Sequence, residues 1–185
     1  MITLYKTLVR SNLEYCCPLW HPYRIGYIQR LEDLQRHFTR RIGIVAHLNY
    51  WDRLRTLNLM SLQRRRERYI ILHMWKLLHG VVPNDVGVQF RERSRLGIQA
   101  EVPCLNRLAS QHNQTMYDRS FAVVGPQLWN ALPAVFSDID TEELFKNTVS
   151  RYFRTLPDEP PVTGYARSHG NTLLEGVILG GSQEV

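Results

Sequence analysis

Apolar residues recur along the first 80 positions at the spacing of helices buried on one side. Ile2, Leu4, Tyr5, Leu8, Val9 and Leu13 keep that spacing until Pro18 and Pro22 interrupt it. Over 24–42, Ile28, Leu31, Leu34, Phe38 and Ile42 form an apolar stripe, with Arg30, Arg36, His37, Arg40 and Arg41 off it and Gly43 as a stop. Asn49 with Asp52 three residues on reads as a capping box opening a short helix through Leu57. Ser61 is placed to cap a longer helix from Leu62 to His79, closed by Gly80.

The regularity then lapses. Pro83, Gly87, Gly97 and Pro103 break up residues 81–117, where a short strand around 98–105 is the most that the pattern suggests. Helical spacing returns from Asp118 through Phe121, Val124, Leu128, Trp129 and Leu132, and stops at Pro133. Asp140 with Glu143 predicts a second capping box, opening a helix through Leu144, Phe145, Val149, Tyr152 and Phe153. Pro157, Pro160 and Pro161 end it, and the Pro/Gly-rich remainder has no period. The expectation is a mainly α chain with four parts. A small helical bundle (1–80) leads through an irregular connecting segment (81–117) to a C-terminal helical region (118–156), and a disordered tail (157–185) follows.

Charge sharpens this picture. The net +6 is uneven: residues 1–80 hold 14 Lys and Arg against 5 Asp and Glu, whereas 81–185 hold 9 against 12. Lys6, Lys76 and Lys146 are the only lysines, so 20 of the 23 cations are arginines, whose planar fork grips phosphate bidentately. A basic half beside a mildly acidic one suggests a polyanionic partner, although a solvated basic surface carries the same signature. With 44% apolar residues the chain can bury a core. No stretch approaches the ~18 uninterrupted apolar residues of a membrane span, and the N-terminus lacks a signal peptide's apolar run, so cytosol or nucleus is the expected compartment. Cys16, Cys17 and Cys104 make no disulfide framework and no zinc spacing; Cys17 with His21 is a faint metal pair at best.

Arg64, Arg65, Arg66 and Arg68 stand on the first turns of the long helix, four cations in five residues pointing around most of its circumference. With Arg36, Arg40 and Arg41 they would line a groove along a phosphate backbone, and binding would then be salt-sensitive and indifferent to sequence. Tyr50, Trp51, Tyr69 and Trp75 stand near; at helical spacing such residues are core more often than base-stacking platforms. Asp138, Asp140, Glu142 and Glu143 form the densest carboxylate cluster, which reads as helix capping before it reads as a metal site. No nucleophile-elbow, zincin or Walker pattern is present, so neither a catalytic centre nor a cofactor is expected.

Three stretches are more specific. Leu4-Tyr5-Lys6-Thr7-Leu8-Val9-Arg10-Ser11-Asn12-Leu13-Glu14-Tyr15-Cys16, with Trp20, Pro22-Tyr23, Leu31-Glu32 and Gln35-Arg36, resembles the segment after the catalytic palm in reverse transcriptases of LINE-type (non-long-terminal-repeat) retrotransposons, the jockey-like and chicken-repeat-like groups. Leu54, Leu57, Leu59 and Ser61-Leu62 followed by Arg65-Arg66 resemble that family's R-L-x-x-L-x-L-x-S-L-x-x-R-R pattern. Arg119 to Pro126, then Leu128-Trp129-Asn130-Ala131-Leu132-Pro133 and Phe145-Lys146, are similar to its S-F-x-x-x-G-P-x-x-W-N-x-L-P … F-K signature, in which Trp129 looks like an anchor. The resemblance covers about residues 2–156. It implies a thumb-like bundle that holds an RNA–DNA or other template–primer duplex by its backbone, next to a palm domain. The family's aromatic-Ala-Asp-Asp box and its apurinic-type endonuclease domain are not in this sequence. The expectation is therefore a non-catalytic fragment of an RNA-directed DNA polymerase, a remnant opening at Met1; a helical protein-interaction module or an inert remnant is the alternative.

Overall fold

A computed structural model describes residues 2–22, 24–85, 87–88, 120–163 and 171–174. The expected strand near 98–105, together with Asp118, Cys104 and residues 164–170 and 175–185, lies outside them. Among the described residues the secondary structure is helical throughout, as the periodicity predicts. The first helix, α1, has three consecutive pieces: α-helical Ile2–Leu4, π-helical Tyr5–Val9 and α-helical Arg10–Glu14. Helix α2 is Ile25–Arg40, α3 Tyr50–Thr56, α4 Leu62–Leu78, α5 Phe121–Asn130 and α6 Glu142–Thr155. Short 3-10 turns at Gly43–Val45 and Ala134–Asp138 link them.

Local chemistry explains several of the boundaries. The Asn49 side chain accepts from the Asp52 amide at 2.9 Å, which caps α3, and its own side-chain amide, rather than its backbone N–H, donates back to the Asp52 carboxylate at 2.6 Å. Ser61 accepts from the Arg64 amide at 3.1 Å and so starts α4. Gly80 follows α4 at φ +66, a conformation open to glycine without strain. The second capping box does not form. Thr141 stands at the N-cap of α6 without a side-chain cap bond, Asp140 is 94% exposed, and Glu143 accepts from Asn147 instead.

Helix α4 is the central element, packed against α5 and α6 on one side and α2 on the other. Its Ile70, Ile71, Met74 and Trp75 share one apolar core with Phe121, Leu128, Trp129, Phe145, Val149 and Phe153. Trp75 and Trp129 stack on Phe145 with centroids 5.7 and 5.5 Å away, and the Trp75 indole donates to the Ile139 carbonyl at 2.8 Å. A Cβ on Gly125 would stand 2.8 Å from the Met74 sulfur, so the absence of a side chain there lets α5 lie close on α4. The Gly125 and Trp129 positions of the family-like signature thus have a packing reason.

Helix α2 sits differently from its expected stripe. Ile28, Glu32, Gln35 and Thr39 face inward, while Leu34 is 51% exposed. The inward face is polar because it completes a hydrogen-bonded network between helices. Tyr5 donates to Gln35 at 2.9 Å, Gln35 donates to the Tyr50 hydroxyl and the Met60 carbonyl, both at 3.1 Å, and Tyr50 donates to Glu32 at 2.7 Å. The other Glu32 oxygen accepts the Gln63 amide at 2.7 Å, in the first turn of α4. Burial outweighs these bonds and pushes the Glu32 carboxyl up to about 8.

The tail departs from expectation where it is described. Residues 157–163 lie along α2, α3 and the start of α4 as an ordered strap. Val162 is fully buried beside Tyr50, Leu54 and Leu59, and Asn171 is buried as well. Its few apolar residues and its carbonyls find partners that composition does not announce.

Candidate nucleic-acid interface

Seven arginines carry the expected groove, and the structure does not bring them together on one surface. Arg64 is 6% exposed. It pairs with the fully buried Glu67 at 3.4 Å and donates to the Pro157 carbonyl at 3.3 Å and to Asn171 at 3.4 Å. Arg65 is gripped in two-pronged fashion by Glu14, with Nη2 2.8 Å from Oε2 and 3.1 Å from the Tyr69 hydroxyl. Arg66, 1% exposed, donates to the Trp20 carbonyl at 3.3 Å and to the Leu13 carbonyl, and its guanidinium carbon lies 3.8 Å from the Trp20 ring centre. Arg68 donates to Ser150 of α6 at 2.8 Å. These four cations tie α4 to α1, to the strap and to α6. They make no phosphate cradle, and the expectation that they line one is corrected.

The reason lies in where their partners stand. Arg64–Glu67 is a helical i,i+3 pair that could be read in sequence, but Glu14 is 51 residues from Arg65 and Ser150 is 82 from Arg68. Glu67, held between Arg64 and the Leu173 amide, is raised by burial to about 7. Near Arg66, burial and then its positive charge hold His21 down at about 4. His21, Pro22, Glu32, Gln63 and Arg66 line a small, partly open pocket beside α2 and α4.

Carboxylates account for much of the remaining charge in the front half. Its five acids are all engaged: Glu14 with Arg65 and Arg10, Glu32 with Tyr50, Asp33 with Arg36 at 3.4 Å, Asp52 with Arg55 at 3.3 Å, and Glu67 with Arg64. Arg36 is also a donor to the Thr163 carbonyl at 2.9 Å, so it belongs to the contact with the strap. Buried Arg53 donates to Thr39 and to the Leu48 carbonyl. Exposed arginines remain on α2 and its ends: Arg24, Arg30, Arg40 and Arg41. Tyr27, Arg30, Leu34, His37 and Arg41 follow one another at three- and four-residue steps on the outward side, and all five are exposed. Arg30 stands 5.8 Å from the Tyr27 ring centre. From Arg30 to Arg41 this side runs ~16 Å, enough to follow several phosphates of one strand. Of the seven expected residues, Arg40 and Arg41 are placed for such contact.

In the carboxylate cluster near α6, Glu142 is held by ion pairing and Glu143 accepts from Asn147. Glu142 lies 3.1 Å from Lys76 and 2.6 Å from Lys146, which hold its carboxyl below the usual range. Among the described residues no group of three or more His, Cys, Asp or Glu is arranged to hold a metal ion, and no helix is long and apolar enough to cross a membrane. Burial pushes the Cys17 thiol up to about 11, away from the thiolate that a metal would need. No protein-family model, curated protein or solved structure matches the chain.

Proposed function

We propose that this chain is a non-catalytic helical region of a LINE-type reverse transcriptase, which holds the sugar–phosphate backbone of a template–primer without reading its sequence. The supporting observation is the outward side of α2. Arg30, Arg40 and Arg41 reach solvent there while the front half's carboxylates are engaged with other partners. Arginines on one helix side meet phosphates as charge-assisted, often bidentate donors, and they position a duplex without specifying bases. The likeness of residues 2–156 to the post-palm segment of that family names the polyanion as an RNA–DNA hybrid.

Binding to an RNA–DNA hybrid across a salt series tests the reading. The wild-type chain should bind at low salt and weaken steeply as salt rises. Arg40→Ala with Arg41→Ala should lower the slope of log affinity against log salt by about 2, alike for unrelated sequences. Absence of binding at low salt contradicts the proposal.

A second reading has its own observation. Leu4, Leu8 and Val9 of α1 are 62%, 63% and 44% exposed, and Leu19 is 76% exposed. Exposed apolar side chains of this kind suit a protein partner, and within the same family reading that partner is the palm. Self-association at micromolar concentration, lost in Leu4→Glu with Leu8→Glu and accompanied by no nucleic-acid affinity, would favour a protein-interaction module instead.

A further inference from the structure

The strap touches the bundle in an ordered sequence of polar contacts, and on the bundle side nearly all of them are donors. Arg64 donates to the Pro157 carbonyl at 3.3 Å, the Ser61 amide to the Asp158 carboxylate at 2.7 Å, and Arg55 to the Glu159 carboxylate at 3.3 Å. Trp51 Nε1 then donates to the Pro160 carbonyl at 3.2 Å, and Arg36 to the Thr163 carbonyl at 2.9 Å. The exception is Asp33, which accepts from the Thr163 hydroxyl at 2.6 Å. Three guanidinium groups, an indole N–H and the N-cap amide of a helix thus lie beneath a chain that offers acceptors. A nucleic-acid strand offers the same: acceptor oxygens at regular intervals, negative charge, and rings that an indole can face.

We infer that residues 157–163 fill a second strand-binding groove of this chain, formed by Arg36, Trp51 and Arg55, and hold it closed by imitating a backbone. The inference rests on the nucleic-acid reading given above and extends it to a site on the other flank of α2. Asp158 and Glu159 supply the negative charge, and Val162, buried against Tyr50, Leu54 and Leu59, anchors the strap. A strand entering the groove displaces both. Arg36 of the expected set thereby becomes ligand-facing only in the open form, while Arg64, held by the buried Glu67, and Arg65, Arg66 and Arg68 stay structural in either form.

The test compares the full chain with two charge-matched variants, each checked for native helicity by circular dichroism. Asp158→Asn with Glu159→Gln weakens the strap; Asp140→Asn with Glu143→Gln makes the same change of net charge elsewhere. For an RNA–DNA hybrid at fixed salt, the strap variant should bind about fivefold more tightly than its control, the factor expected of one extra ion-pair-strength contact. Equal affinity of the two variants overturns the groove and leaves the α2 interface standing. Failure of wild type and both variants to bind at low salt overturns both. Hydrogen exchange on the wild-type chain supplies a readout independent of substitution. The amides of Asp158, Glu159, Val162 and Thr163 should exchange faster when the hybrid is bound, and unchanged or slower exchange overturns the inference.

Discussion

An arginine adjacent in sequence to three others can still be an internal structural residue, and Arg66 is the clearest case here. Its guanidinium lies over the Trp20 ring and donates to the Leu13 and Trp20 carbonyls, beyond the reach of a phosphate. Burial lowers its pKa, yet an arginine keeps its charge under these conditions. The side chain's value therefore lies in satisfying two carbonyls and covering an aromatic face. Arg66→Ala leaves those carbonyls and a void behind and should cost about 2–4 kcal/mol in urea unfolding. Arg40→Ala, fully solvated, should stay within about 0.5 kcal/mol of wild type. If the two substitutions cost the same, the distinction between structural and solvent-facing arginines fails.

At the scale of elements, the junction of α2, α3 and α4 is a polar core whose protonation matters. Glu32 titrates near 8 and Glu67 near 7 in the folded chain, both raised by burial from an ordinary value of 4.5. A carboxyl with a raised folded pKa favours folding while protonated in both states, and that advantage is lost as pH climbs toward the folded value. His21, held near 4, acts in the opposite sense: its share is present above 6.5 and lost as pH falls toward 4. His73, lowered by burial, acts with His21. The opposing rise from both imidazoles ends as pH passes their ordinary value of 6.5, so stability should fall as pH rises from about 6 to 8, each carboxyl contributing ~1.4 kcal/mol per pH unit within its own window. Thermal unfolding across that range checks it. Glu32→Gln keeps the shape, removes one titration and should flatten the decline; a wild-type melting temperature that rises from pH 6 to 8 contradicts the assignment.

The whole molecule shows which features are legible in a sequence. Helices α3 and α4 can be read because their caps are local, each closed within three residues at Asn49 and Ser61. The packing roles of Trp75, Phe145 and Trp129 follow from apolar spacing. The arginines are misread because composition reports charge and not partners. Glu14, Asn171 and the Pro157 carbonyl meet α4 from 51, 107 and 93 residues away. Helix α2 is misread by roughly a quarter turn, since Glu32 and Gln35 are inward and no rule of polarity predicts it. The strap is misread because Val162 is a lone apolar residue among prolines and acids, and a single anchor leaves no period.

On the proposed reading, the front half's described residues offer a polyanion less than their charge suggests: one side of α2, with a second groove under the strap. Arginine-selective labelling with a dicarbonyl reagent, read residue by residue by mass spectrometry with and without an RNA–DNA hybrid, addresses this most directly. Arg40 and Arg41 should label readily in the free chain and be shielded by the hybrid, with Arg66 inert in both states. Ready labelling of Arg66 that the hybrid suppresses, or labelling of Arg40 and Arg41 that the hybrid leaves untouched, would contradict the account.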